Sequence, residues 1–157
     1  MIASIQHRRS GMVAYLPMHG PYDQMPDAFG RLYAWISEHG LKATGAPTAV
    51  YYNIASDPSG ADAIWELQAS LKDDIAEDEP DEHGVGVKRT PPMEVVSTIH
   101  KGPYDSVTPT YQALWDWVED NGYELAGPPM ERYLNGPDEV SSPDEYLTEI
   151  IMSIEKV

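Results

Sequence analysis

Two glutamates lie in strand-like runs where only one face is apolar. In "AIWELQASL" (63–71), Trp65, Leu67, Ala69 and Leu71 make one face of a period-two run, and Ile64, Glu66, Gln68 and Ser70 make the other. In "YLTEIIMSI" (146–154) the same parity puts Thr148, Ile150, Met152 and Ile154 on a core face. Leu147, Glu149, Ile151 and Ser153 share the opposite face. Glu149 thus stands between two aliphatic neighbours, where an ionised carboxylate is costly unless it is paired. No lysine or arginine lies nearby in sequence. Either its pKa is raised, which suits acid/base work, or a cation from outside completes it. Glu66, beside Gln68 and Ser70, reads as the wetter of the two. The plain structural alternative for both is a strand glutamate satisfied by water or backbone donors.

Other chemistries find little support. The five histidines (His7, His19, His39, His83, His100) show no i, i+4 pair and no metal-site spacing, so neither a metal nor a cofactor is expected. There are no cysteines, which removes disulfides and thiolate chemistry. "GVG" (84–86) lacks the rest of a phosphate loop, and no serine sits in a nucleophile elbow.

The elements that hold the glutamates occur twice. A shift of 82 residues (102 − 20) lays Gly20-Pro21-Tyr22-Asp23 on Gly102-Pro103-Tyr104-Asp105. It also lays Leu32 on Leu114, Trp35 on Trp117, Gly40 on Gly122 and Tyr51 on Tyr133. With one added residue, Glu66 falls on Glu149. Each copy reads as strand–helix–strand–strand: "MVAYLPM" or "EVVSTIH", then a Gly-Pro turn, then a helix starting near a capping Asp23 or Asp105. The helix carries Phe29, Leu32 and Ile36, or Tyr111, Leu114 and Val118, as an apolar stripe, and ends at Gly40 or Gly122. Two strands follow, near "TAVYYNI" and "AIWELQASL", or "MERYLN" and "YLTEIIMSI". The extended stretches 2–7 and 84–89 are expected to add to the sheet. Neither copy covers its sheet alone, so the expected fold is α+β: tandem repeats related by a pseudo-twofold, an antiparallel sheet, and helices on one side.

The chain is expected to be one domain, 1–157, with repeat 1 at about 2–72, an acidic connection at about 73–84 and repeat 2 at about 85–157. The connection has many charges and few apolar residues, and reads as solvated and mobile. The formal net charge of −16 makes direct nucleic-acid binding a poor prospect, because phosphate must be met by Lys and Arg. No signal-peptide h-region and no membrane-length apolar run occurs, so a cytoplasmic location is expected.

"HKGPYD", "LWDW", "NGYELAGPP", "RYLN" and "YLTEI", in this order and spacing, resemble the GyrI-like effector-binding family over about residues 5–154. The resemblance implies a ligand groove between the two repeats, and a free-standing binder of small hydrophobic, cationic or polycyclic aromatic compounds. The family's DNA-binding part is expected to be absent. It implies that Glu149 lies in the groove and meets a cationic ligand, with Glu66 facing it from the other half and Leu147 and Ile151 beside the carboxylate. Tyr33, Trp115, Tyr51 and Tyr133 are the expected aromatic walls, whereas Trp35 and Trp117 read as core and Tyr22 and Tyr104 as packing at the turn. The drier surroundings of Glu149 predict that it is more buried than Glu66. Two alternatives go with the family. One is a hydrolase that opens strained electrophilic rings, with Glu149 as acid or base and Glu66 orienting water. The other is a protein module that binds a gyrase-like partner.

Overall fold

The structure is a computed structural model and describes residues 1–53 and 56–157. In chain order the strands are β1 (Ser4–Arg8), β2 (Gly11–His19), β3 (Ala43–Tyr51), β4 (Ile64–Leu71), β5 (Gly86–Thr90), β6 (Met93–Lys101), β7 (Tyr123–Leu125), β8 (Met130–Tyr133) and β9 (Leu147–Lys156). The helices are α1 (Met25–Glu38), between β2 and β3, and α2 (Thr108–Asp120), between β6 and β7. These elements form two compact units. One is continuous, Ser10–Pro91; the other is split, Met1–Arg9 with Pro92–Val157.

In the continuous unit the strand order is β5-β2-β4-β3, all antiparallel. In the split unit it is β1-β6-β9-β8, with β7 pairing the end of β9. The registers recur at the sequence offset. Val13 pairs with Ser70, and Val95 with Ser153; Tyr15 pairs with Gly86, and Ser97 with Ser4. The long β3, irregular between Thr44 and Thr48, corresponds to the pair β7 and β8. The sequence repeat and the compact unit therefore do not coincide. β1 pairs with β6 and not with its neighbour β2, and β5 pairs with β2 and not with β6.

Each helix covers one face of its sheet. From α1, Ala28, Leu32, Trp35 and Ile36 are buried, as are Ala14, Leu16, Trp65, Leu67 and Ala69 of the strands beneath. From α2, Leu114 and Val118 join Val96, Ile150, Met152 and Ile154 in one cluster. Burying each such leucine or isoleucine is worth roughly 1.5–3 kcal/mol. The expected parity of β4 and β9 holds, so both glutamates stand on the face without a helix.

The helix starts differ from expectation. A 3₁₀ turn (Tyr22–Gln24 or Tyr104–Ser106) precedes each helix, so the N-caps are Gln24 and Val107, and neither makes a side-chain cap bond. Pro26 and Pro109 then fall in the first turn, where a missing N–H costs nothing. The end of the "TAVYYNI" strand, at Ile54, lies outside the described residues. The acidic stretch is exposed along most of its length, as its composition implies, and makes specific polar contacts. Asp81 Oδ2 accepts a 2.8 Å bond from Trp35 Nε1, Glu77 accepts from the Arg89 backbone N–H, and Asp78 bridges Val87. Polar anchors replace the apolar ones that the sequence lacks.

Candidate functional site

Glu149 is the third residue of β9, opposite Ile99 of β6 and Arg132 of β8, whose side chains share its face. On β1, Ser4, Gln6 and Arg8 belong to the same face by register. Arg8 Nη2 and Arg132 Nε each lie 3.4 Å from the same carboxylate oxygen, Oε1. The Arg8 guanidinium is held below its usual pKa by burial first; Glu149 pulls the other way, and the nearby Arg132 charge pushes it down further. The cation expected from outside is thus supplied by the chain. β1 and β8 bring in arginines from 141 residues before Glu149 in one case and from a neighbouring strand in the other.

Glu66 is coordinated differently. Lys88 Nζ of β5 lies 2.8 Å from its Oε2, and Gln68 Nε2 donates to the same oxygen at 2.7 Å. The Tyr52 phenol is pushed up to about 12, by burial first and then by the charge of Glu66 and a hydrogen bond to it. The Lys88 ammonium also lies 4.3 Å above the Tyr15 ring. Glu66 is 4% exposed and Glu149 9%, so the expected order of burial is reversed. Three donors close around Glu66, and this matters more than the polarity of Gln68 and Ser70.

A cavity of about 700 Å³ in the split unit is lined by Ser4, Gln6, Ser97, Ile99 and Glu149. Its wall continues past Met1 and Ile2 to Pro109, Thr110 and Ala113 of α2. Of the expected site residues, Leu147, Glu149 and Ile151 share the sheet face away from α2, but of these three Glu149 lines the cavity, and Glu66 has the corresponding place in the continuous unit. The four expected aromatic walls do not share a face with the glutamate of their own unit. Tyr51 pairs with Trp65, and Tyr133 with Thr148, which puts both on the helix side. There they meet Tyr22 and Tyr104 edge-on, at 5.5 and 5.7 Å. Tyr33 is half-buried on α1. Trp115 is exposed on α2 and donates to Glu119 at 2.9 Å, within its own helix. The aromatic side chains that interact with Glu66 are instead Tyr15 and Tyr52, which sequence reasoning missed, as it missed Arg8, Arg132 and Lys88. Strand parity applied to β1, β5 and β8 would have found the three cations.

A second carboxylate centre lies on the helix side of the split unit. Glu131 Oε2 accepts a 2.5 Å bond from the Tyr111 hydroxyl, and Oε1 a 3.3 Å bond from Tyr133. Burial raises the Glu131 carboxyl above its ordinary value, against the pull of those two hydroxyls. The matching residue in the first copy is Ala49 (131 − 82). Among the described residues, no group of three or more His, Cys, Asp and Glu could hold a metal ion, and no helix is long and apolar enough to cross a membrane.

The model of the GyrI-like small molecule binding domain matches residues 12–155. The chain belongs to the GyrI-like family. Its fold is similar to that of the EcmrR C-terminal domain, with a TM-score of 0.82 and 26% identity over 99% of this chain and 98% of that one. Against EcmrR in a complex with DNA the TM-score is 0.84 at 25% identity, and the GyrI-like chain spans 58% of that longer protein. A hydrolase from Listeria innocua has the same fold (TM-score 0.76, 16% identity, 98% of this chain and 91% of that one). So does SAV2435 bound to tetraphenylphosphonium (TM-score 0.62, 14% identity, 99% and 94%). No curated protein sequence matches the chain significantly.

Proposed function

We propose that this GyrI-like chain binds hydrophobic small molecules on the face that carries Glu149. The observation that carries the reading is a charged cluster set in an apolar surround. Glu149, paired with its two arginines and neighboured by the fully buried Ile151, lines a cavity of about 700 Å³ together with Ile99, 57% exposed. A cavity of that size suits a drug-sized compound, and a few placed polar groups in an apolar lining fix its orientation. That SAV2435 was captured with tetraphenylphosphonium supports this use of the fold. The exposed Ile99 side chain is the contact a ligand would cover, at a gain of about 1–2 kcal/mol.

The test is a thermal-shift screen of aromatic compounds, followed by calorimetric titration of the hits against wild type and Ile99→Ser. Hits that raise the melting temperature and lose affinity in the variant support the reading. A screen without hits, or hits indifferent to Ile99→Ser, would overturn it. Mass spectrometry of the recovered ligand separates binding from ring-opening hydrolysis, which adds the mass of one water.

A further inference from the structure

We infer that the Glu149 face selects hydrophobic carboxylates, seating the anionic group against Arg8 and Arg132. The inference rests on the binding reading above and names the ligand's charge. It starts from a count: two guanidiniums meet one carboxylate, so the cluster carries a net charge of +1 (2 − 1) on a chain of net charge −16.

The cations are also poorly used. Charge-assisted N–H···O bonds run to about 2.7–2.9 Å, yet both arginines stand 3.4 Å away and converge on one oxygen. Arg132 Nε is buried and has no hydrogen-bond partner, although it is within ion-pairing distance. A guanidinium offers five donors in a planar fork that matches a carboxylate. A single Glu149 oxygen cannot satisfy two such forks, and the two like charges act against each other. A second carboxylate would relieve both faults. The arginine side chains are 27% and 38% exposed, so an incoming group can reach them.

The continuous unit serves as an internal control. At the positions matching Arg8 and Arg132 it has Thr90 (8 + 82) and Val50 (132 − 82). Its glutamate holds one lysine at 2.8 Å, together with Gln68 and Tyr52. That cluster is balanced in charge and has short contacts. The excess of cation belongs to the Glu149 unit alone, so it does not follow from the fold itself.

The experiment is calorimetric titration with three probes of one shape: naphthalene-2-carboxylate, its neutral amide, and naphthalen-2-ylmethylammonium. The expected result is that the carboxylate binds at least about tenfold more tightly than the amide, the lower end for hydrogen bonds to a charged group. Arg132→Gln and Arg8→Gln should each reduce that preference, and Arg132→Lys should keep part of it. Glu149→Gln should strengthen carboxylate binding, because it removes a like charge. Circular dichroism establishes that each variant is folded, and the two arginine positions test the idea independently. Tightest binding by the ammonium, or a preference untouched by both Arg→Gln variants, overturns the inference while leaving the binding reading intact. Failure of all three probes to bind overturns the binding reading, and the inference with it.

Discussion

Three carboxylates, Glu66 and Glu149 buried and Glu131 partly buried, have three different electrostatic settings, and Glu131 is the one whose consequence is measurable in stability. Its folded pKa is raised above the ordinary 4.5 by burial. Between 4.5 and the raised value the folded chain keeps a proton that the unfolded chain has released. The stabilising term is therefore fully present below 4.5 and is lost as pH rises through the folded pKa. Asp62, held down to about 2 by the Ser56 side chain first, and Asp81, held low by Trp35 first, act only below 3.8 and leave that window clear. We predict that urea unfolding at a series of pH values upward from 4.5 shows wild type losing stability relative to Glu131→Gln. Curves that stay parallel would assign the slope to other groups. Residues were the least legible level of the sequence. Parity in β4 and β9 was readable because the apolar face alternates cleanly, and it placed Glu66, Glu149, Leu147 and Ile151 correctly. The partners were not readable, because Arg8 and Lys88 come from short strands whose neighbours are set by pairing across the chain. Tyr51 and Tyr133 were misplaced because a tyrosine, apolar in body and polar at its tip, suits either face of a sheet.

At the scale of elements the repeat carried most of the information. Both helices, their glycine ends and the six strands of the two copies fall near where the repeat put them, as do β1 and β5, and Gly40 and Gly122 have the positive φ that a helix-terminating glycine needs. The three-residue β7 was missed because "YEL" is too short for periodicity to show. The acidic stretch was read from composition, which does not register side-chain anchors such as Asp81 on Trp35. Its close seat against β5 gives a test. A Cβ at Gly86 would lie 2.7 Å from the Asp78 carbonyl oxygen and 2.9 Å from the Pro80 nitrogen, both backbone atoms that cannot simply rotate away. Gly86→Ala should destabilise by about 1–3 kcal/mol, the usual range for overpacking. Gly30, inside α1, has nothing within 4 Å of the same atom, so Gly30→Ala should stabilise by roughly 0.5–1 kcal/mol. Denaturant midpoints of the two variants should move in opposite directions, and equal losses would mean that the contact at Gly86 is relieved by a loop shift.

At the scale of the whole molecule, the units are not the two halves of the chain. Ser10–Pro91 holds a complete four-stranded sheet and its helix in one continuous segment, whereas Pro92–Val157 lacks β1. We predict that a fragment of residues 10–91 unfolds cooperatively on its own. A fragment of residues 92–157, with β6 left as a bare edge, should associate or melt earlier, and a peptide of residues 1–9 should restore it. Thermal melts by circular dichroism, with sedimentation to score association, decide the matter. A well-folded 92–157 fragment indifferent to the peptide would show that β1 is dispensable. The same exchange of strands fixes an order of events during synthesis. β1 and β2 are separated only by Arg9 and Ser10, a connection short enough for a hairpin, yet Ser4 pairs with Ser97, 93 residues later (97 − 4). At about 5–20 residues per second, β1 leaves the ribosome on the order of ten seconds before β6 exists. For that interval the nascent chain has an unpaired strand beside a tempting wrong partner. The late arrival of β5 at β2 is the step that closes that option, because it fills the β2 edge that a β1 hairpin would have occupied.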